Sequence, residues 1–153
     1  MRWAALAVGI VTGTVLAGCQ PATVTDTSRS IYCEVAADAP VRDNAEKPTK
    51  VIATARFRCD PPGATTMTLT MRIQHQNTAG AWVDVNSTTF TAKGAETVPT
   101  DTFRSHELSA ACADGVFRTR VTGSSSARGV TKKYDVTGVR SFEPCRPSLF
   151  EQS

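Results

Sequence analysis

The segment VIATARFRC, residues 51–59, alternates apolar and polar side chains with a period of two. Such alternation predicts a β-strand that has one buried face and one exposed face. The predicted buried face consists of Ala53, Ala55, Phe57 and Cys59. The same period recurs along the chain after residue 31, where no segment has a convincing helical pattern. We therefore expect an all-β fold.

A hairpin is predicted to join this strand to the segment CEVAA, residues 33–37, which alternates in the same way. Residues 39–50 between them contain two prolines, an asparagine and an aspartate, which are typical of loops. An antiparallel register that begins with Cys33 opposite Cys59 produces two further pairs, Val35 with Phe57 and Ala37 with Ala55. The register that brings Cys33 and Cys59 together for a disulfide therefore also places the apolar residues of both strands on the same face.

A second hairpin is predicted from residues 66–73 and 81–85, which the loop QNTAG, residues 76–80, connects. Centring the turn on Thr78 predicts four cross-strand neighbours: Ile73 with Val83, Met71 with Val85, Arg72 with Asp84, and Gln74 with Trp82. In this register both valines face the core, and the arginine and aspartate form an opposite-charge pair outside it. Trp82 lies on the polar side.

A third hairpin is predicted from residues 115–121 and 134–139, with residues 123–133 as the loop between its strands. Placing Cys112 opposite Cys145 pairs Val121 with Val136, which suits a core. It also pairs Phe117 with Arg140, which does not, so we expect a bulge or a one-residue slip near Arg140. One more strand is predicted within residues 103–112.

Five cysteines are present, and four of them follow the N-terminal segment: Cys33, Cys59, Cys112 and Cys145. An even number in an exported chain predicts two disulfides, with three possible connectivities. The strand patterns favour Cys33–Cys59 and Cys112–Cys145. The immunoglobulin pattern would instead join Cys59 to Cys112, with Trp82 packed on the bridge, but the tyrosine expected at position 110 is an alanine.

These patterns together predict a single antiparallel β-sandwich, immunoglobulin-like in architecture, with seven or eight short strands and two disulfides. We place this domain at residues 30–147. Residues 148–153 then form a short C-terminal tail, and the polar, threonine-rich residues 19–29 form a flexible tether before the domain.

The chain begins with Arg2, an apolar run over residues 3–16, and the sequence L-A-G-C at residues 16–19. A charged start, an apolar run and small residues are typical of a secretory signal. The run has fourteen residues, whereas a membrane-spanning helix needs roughly 20. Ordinary signal cleavage after Ala17 or Gly18 is an alternative, but a cysteine directly after the small residues favours a lipoprotein signal.

L-A-G-C resembles the lipobox of bacterial lipoproteins. The resemblance covers about residues 1–20 and implies that residues 1–18 are removed, with cleavage between Gly18 and Cys19. It also implies a diacylglyceryl lipid on Cys19, which would anchor the chain to the extracytoplasmic face of a membrane of the bacterial cell envelope. Two acyl chains suffice for stable anchoring. The alanine, threonine, valine and arginine usage resembles that of small secreted lipoproteins of high-GC Gram-positive bacteria or their phages.

Composition and motifs favour a binding function over an enzymatic one. The formal net charge is +3 without a basic block, which argues against a nucleic-acid partner. The two histidines are His75 and His106, and a His106–Glu107 dyad is disfavoured because strand neighbours point to opposite faces. The chain has no G-x-S-x-G motif, phosphate loop or metal-ligand spacing. We therefore expect no catalytic residues, no metal and no cofactor apart from the lipid.

Two groups of residues are candidates for contact with a partner. One is Trp82 with Arg72 and Gln74 alongside, since an exposed tryptophan can anchor a protein or a glycan. The other is Arg128, Lys132 and Lys133, which would form a cationic loop tip. The sequence thus favours a binding or interaction module with a protein or glycan partner in the envelope. An inhibitor of an exported hydrolase, a phage-encoded exclusion lipoprotein and a small hydrolase that uses His106 are alternatives.

Overall fold

A computed structural model describes residues 32–45, 48–99 and 103–145. The sequence predictions for the signal segment, the lipidated cysteine, the tether and the tail concern residues outside these ranges. The described residues form nine strands: β1 Cys33–Ala37, β2 Val41–Asp43, β3 Lys50–Cys59, β4 Ala64–Gln76, β5 Trp82–Gly94, β6 Arg104–Ala111, β7 Val116–Ala127, β8 Val130–Thr137 and β9 Ser141–Phe142. A short 3-10 helix, Ala95–Thr97, follows β5.

The strands form two antiparallel sheets that pack against each other as a β-sandwich, which confirms the predicted fold class. In the four-stranded sheet, β1 and β2 lie in succession along one edge of β3, and β6 pairs with the other edge. The second sheet has the order β5-β4-β7-β8, with β9 following β8 along the same edge of β7. These orders correspond to the two sheets of an immunoglobulin-like sandwich.

The core lies between the sheets and is built from alternate residues of the long strands. Its fully buried members include Val51, Ala53, Ala55 and Phe57 from β3, Met67, Leu69, Met71 and Ile73 from β4, and Phe117 and Val121 from β7. Burying each large side chain contributes on the order of 2 kcal/mol. The alternation in VIATARFRC therefore directs every second side chain of β3 into the core.

The first hairpin agrees with its prediction in every pair. Cys33 lies opposite Cys59, Val35 opposite Phe57 and Ala37 opposite Ala55. The disulfides join Cys33 to Cys59 and Cys112 to Cys145. The immunoglobulin-type bridge from Cys59 to Cys112 is therefore wrong for this chain, although the architecture is immunoglobulin-like.

The predicted register of the second hairpin is wrong. The loop is centred on Ala79, because Asn77 accepts hydrogen bonds from the backbone N–H groups of Ala79 and Ala81, at 3.1 and 2.8 Å, while Gly80 adopts a positive φ of 81°. A bulge follows within β5. Val83 therefore lies opposite His75, Val85 falls at the bulge, and the two side chains are 47% and 46% exposed instead of packing against Ile73 and Met71.

The third hairpin is longer than predicted. Residues 123–133 are mostly paired strand, and the turn consists only of Arg128 and Gly129, whose φ angles of 49° and 79° suit a two-residue hairpin. Gly123 permits close packing, because a Cβ atom there would lie 2.1 Å from the carbonyl oxygen of Thr68. A run rich in glycine and serine therefore forms a strand.

The predicted details at the other end of this hairpin are confirmed. Val121 lies opposite Val136. Thr137 lies opposite Arg120 whereas Ser141 lies opposite Phe117, so one extra residue is accommodated between β8 and β9. This is the one-residue slip that the poor match of Phe117 with Arg140 indicated.

Candidate functional site

The outward side of the five-stranded sheet carries a continuous set of polar and aromatic side chains. We call this set the arginine face and define it as Arg72, Gln74, Trp82, Asp84, Arg118, Arg120, Asp135, Arg140 and Phe142. Its members on β4 and β7 alternate with the buried residues of the same strands. The alternation that fills the core therefore also creates this surface.

Arg118 on β7 is held by two neighbours. Its guanidinium lies over the indole of Trp82, with 4.1 Å between the central carbon and the ring centroid. Its Nε donates a hydrogen bond of 2.8 Å to Oε1 of Gln74. The amide nitrogen of the buried Gln74 donates in turn to Oδ1 of Asp84, at 2.7 Å. The glutamine thus fixes the guanidinium in one orientation.

Arg72 extends the same network across β4. Its Nε lies 3.3 Å from Oδ2 of Asp84, and one of its terminal nitrogens donates to the hydroxyl of Thr122 at 2.7 Å. Arg72 pairs along the strand with Ser87, not with Asp84. The opposite-charge contact predicted from the sequence therefore exists, but it forms diagonally after the register has changed.

Arg120 and Asp135 form the second ion pair of the face. Nε and one terminal nitrogen of Arg120 donate to the two carboxylate oxygens of Asp135, at 2.9 and 2.8 Å. This hydrogen bonding lowers the pKa of Asp135 and raises that of Arg120. Each carboxylate oxygen of Asp135 thus accepts one hydrogen bond from Arg120.

Arg118 and Arg140 differ from the other two arginines because neither forms an ion pair within residues 32–45, 48–99 and 103–145. Burial, followed by the charges of Arg120 and Arg140, lowers the pKa of Arg118, while the charge of the nearby Asp135 acts in the opposite direction. Nearby, Phe142 on β9 is 70% exposed. The face contains four arginines and two aspartates, so it carries an excess of positive charge.

The face lies toward the end of the sandwich that is farthest from residue 32. Tyr32 accepts a backbone hydrogen bond from Asp60, at the end that also holds the Arg128–Gly129 turn. Trp82 and Phe142 lie at the other end, near the Cys112–Cys145 disulfide. Strand β4 has 13 residues and runs between the two ends over roughly 43 Å.

The structure does not bring Arg128, Lys132 and Lys133 together into one cationic cluster. Arg128 occupies the turn, and alternation along β8 directs Lys132 and Lys133 to opposite faces. The ammonium of Lys132 donates to the carbonyl of Cys33 at 3.1 Å and lies over the rings of Tyr32 and Tyr134, 5.0 and 5.3 Å from their centroids. Lys132 therefore attaches β8 to the start of β1.

The two histidines lie on different sheets. Nε2 of His75 lies 2.9 Å from the carbonyl oxygen of Asp114, and the ring of His106 stacks on that of Phe90 with 3.8 Å between centroids. His106 borders a cleft of about 430 Å³ at the end of the sandwich near Tyr32. Glu107 projects from the opposite side of β6, as the strand alternation predicts.

Within the described ranges, no three His, Cys, Asp or Glu side chains group as metal ligands, and no helix is long and apolar enough to cross a membrane. No protein-family model matches the chain, and no curated protein matches it in sequence. The case for a function therefore depends on the geometry of the arginine face and on the N-terminal sequence.

Sequence reasoning singled out Trp82, Arg72 and Gln74, and these three residues lie on one face. It missed Arg118, which contacts two members of that group directly. The available signal was the alternation of Arg118 and Arg120 with buried Phe117 and Val121. That alternation assigns both arginines to the outward side of β7. It does not show that β4, which carries Arg72 and Gln74, is the strand that pairs with β7.

Proposed function

We propose that the chain is a lipid-anchored, non-enzymatic binding module of the bacterial cell envelope, and that the arginine face is its binding surface. The observation that carries the proposal is the guanidinium of Arg118. It is held between Trp82 and Gln74 and forms no direct ion pair among the described residues. Fixing a long side chain costs conformational entropy, and a fixed guanidinium is suited to bind a partner.

The position of the face supports this function. Tyr32 is thirteen positions after Cys19, a contour of at most roughly 45 Å. A lipid on Cys19 would attach the sandwich to the membrane through its Tyr32 end. Trp82 and Phe142 at the opposite end would then face away from it, where components of the envelope are accessible.

Binding is favoured over catalysis by the surroundings of the histidines. His75 contacts the carbonyl of Asp114, and His106 packs on Phe90 and Phe57. A hydrolase that depends on histidine needs the ring beside a nucleophile and a residue that orients it. Neither set of contacts provides that arrangement.

Two measurements test the proposal. First, Cys19→Ala should move the exported protein from the membrane to the soluble fraction; retention on membranes would contradict the anchor. Second, the full-length protein in detergent should capture an envelope component that Arg118→Gln fails to capture. Arg128→Asn is the matched control, since it removes a cation at the opposite end and asparagine tolerates the positive φ there.

The second measurement has a defined negative result. Equal capture by the wild type and by Arg118→Gln would show that the arginine face is not the binding surface. An exported protease captured through the Arg128–Gly129 turn would instead support the inhibitor function.

A further inference from the structure

We propose that the open edge of β5 pairs antiparallel with the same edge of a second copy of this chain, so that two sandwiches share one continuous sheet. The inference goes beyond the proposed binding function, because it concerns another surface and another partner. Strand β5 has 13 residues and, within the described ranges, pairs with β4 alone. Its opposite edge is therefore a template for a further strand.

The edge of β5 differs from the other sheet edges because it lacks protection. Residues 85–92, VNSTTFTA, contain no charge and no proline, whereas β8 carries two lysines and an aspartate, and β6 carries an arginine and a glutamate. The edge strands β1, β2 and β9 have only five, three and two residues. Charges and short length are the usual devices that prevent edge-to-edge association. In the described part of the chain, only this segment of β5 has neither device over eight residues.

The neighbouring strand of the other sheet leaves this edge accessible. On the core side, the ring of His106 on β6 stacks on Phe90, and the side chain of Asn86 donates a hydrogen bond of 2.7 Å to the carbonyl oxygen of Ser109. Farther along, a cleft of about 430 Å³ lies between Thr91 on β5 and His106 on β6. A second strand can therefore approach β5 in the plane of its own sheet.

The backbone groups of Thr89 and Thr91 face the open edge. The N–H groups of Ser87 and Lys93 donate to nearby side chains, both at 2.8 Å, and are therefore directed away from β4. Since the backbone groups of alternate residues in an antiparallel strand point to the same edge, the N–H and C=O groups of Thr89 and Thr91 are directed away from β4 as well. These groups are the donors and acceptors that a second strand needs.

The segment is complementary to itself, which identifies a second copy as the partner. After its bulge, the regular part of β5 covers residues 86–94 and is centred on Phe90. A two-fold axis at that position places Thr89 of each copy opposite Thr91 of the other, with two backbone hydrogen bonds in each such pair. Hydroxyls then lie opposite hydroxyls on the outward side. The same kind of pairing already joins β4 to β5, with 3.1 and 2.8 Å between threonine oxygens.

The charges at the two ends of the segment are complementary as well. The same axis places Lys93 of one copy opposite Ser87 of the other and diagonal to Asp84 of the other, about 7–8 Å away between Cα atoms. Lys93 forms no ion pair among the described residues, and the side chain of Asp84 is 46% exposed. The two-fold axis forms this opposite-charge contact twice, and no like charges meet along the paired segment.

The dimer presents two arginine faces on one side of the joined sheet. Because the two strands are antiparallel, the Tyr32 ends point in opposite directions. The tether contour of at most roughly 45 Å allows both lipids to reach one membrane when the joined sheet lies along it. Confinement to that membrane raises the effective concentration of the chain, so a small edge contact suffices for pairing.

Sedimentation equilibrium of the full-length protein, in density-matched detergent with micelles in excess over protein, tests this inference. We expect a reversible monomer–dimer equilibrium. The variant Thr89→Lys/Thr91→Lys places lysine opposite lysine twice and should weaken dimerisation by about tenfold or more. The variant Thr89→Glu/Thr91→Lys changes the same two exposed positions but places glutamate opposite lysine twice, so it should restore dimerisation. Thr131→Lys, on the outward side of β8, is the control and should dimerise as the wild type does.

Three results would overturn the inference. They are dimerisation of Thr89→Lys/Thr91→Lys as strong as that of the wild type, failure of Thr89→Glu/Thr91→Lys to recover, and a wild type that stays monomeric up to about 1 mM, equivalent to about 4 kcal/mol. In such a monomer, protection of the Thr89 and Thr91 amides from hydrogen exchange would identify another segment of the chain as the cover of β5. The melting temperature of each variant reports its folding. Arg118→Gln should dimerise as the wild type does, so this inference and the proposed function fail independently.

Discussion

Arg120 and Asp135 form a two-bond ion pair between β7 and β8, with both carboxylate oxygens of the aspartate occupied. Two residues earlier on the same face, Arg118 forms no direct ion pair among residues 32–45, 48–99 and 103–145. The sheet therefore places a guanidinium with a direct ion pair beside one without.

Asp135 should make the protein sensitive to acid. Its pKa is lowered by the hydrogen bond from Arg120, so its contribution is present above the pKa of the unfolded chain, about 4. The contribution is lost as pH falls through the folded-state value. We expect the melting temperature of Asp135→Asn to fall less between pH 5 and pH 2 than that of the wild type. Asp60→Asn, at the other end of the sandwich, is the control, and parallel curves for wild type and Asp135→Asn would contradict the prediction.

The two disulfides should differ in their effect on stability. They close loops with sequence separations of 26 and 33 residues, so the loop-entropy estimate is similar for both, about 3.5 kcal/mol. Cys33 and Cys59 are almost fully buried, so replacing them also leaves a cavity in the core. Urea unfolding should show a larger loss for the double variant Cys33→Ala/Cys59→Ala than for Cys112→Ala/Cys145→Ala. The reverse order would contradict this role for burial.

Gly123 should not tolerate a side chain. A Cβ atom at this position would lie 2.1 Å from the carbonyl oxygen of Thr68 and 2.9 Å from Cα of Leu69, so β4 and β7 would have to separate. We expect Gly123→Ala to lower the free energy of unfolding by more than about 2 kcal/mol, in the range of overpacked cores. Ser124→Ala on the outward face is the control and should change it by less than about 0.5 kcal/mol. Equal stabilities would contradict the close approach.

The parts of the fold that the sequence predicts correctly are those where two independent patterns agree. For β1 and β3, the alternation of VIATARFRC and the position of Cys33 opposite Cys59 specify the same register. For β4 and β5 only the apolar alternation was available, and it did not reveal the loop centred on Ala79 or the bulge that follows. Val83 consequently lies opposite His75 instead of Ile73, and Val85 falls at the bulge, so neither valine packs into the core.

The candidate site was partly predictable for a similar reason. Trp82, Arg72 and Gln74 belong to one hairpin, so local alternation places them on one side. Arg118, Arg140 and Phe142 reach the same side only through the pairing of β7 with β4 and β9. The pairing of β4 with β7 joins segments more than 40 residues apart, and no sequence pattern links those two strands directly. The approach of β7 to residues 140–142 was instead indicated by the predicted Cys112–Cys145 disulfide.

The central claim is that the arginine face, at the end of the sandwich away from the lipid anchor, contacts the envelope. Photocrosslinking in intact cells tests it most directly, with a photoreactive phenylalanine analogue replacing either Phe142 or Val130, two exposed residues at opposite ends of the sandwich. We predict an adduct with an envelope component from position 142 that is much stronger than any from position 130. This adduct should disappear when Arg118→Gln is introduced into the same chain. Equal adducts from both positions, or an adduct from position 142 that persists in Arg118→Gln, would contradict the account.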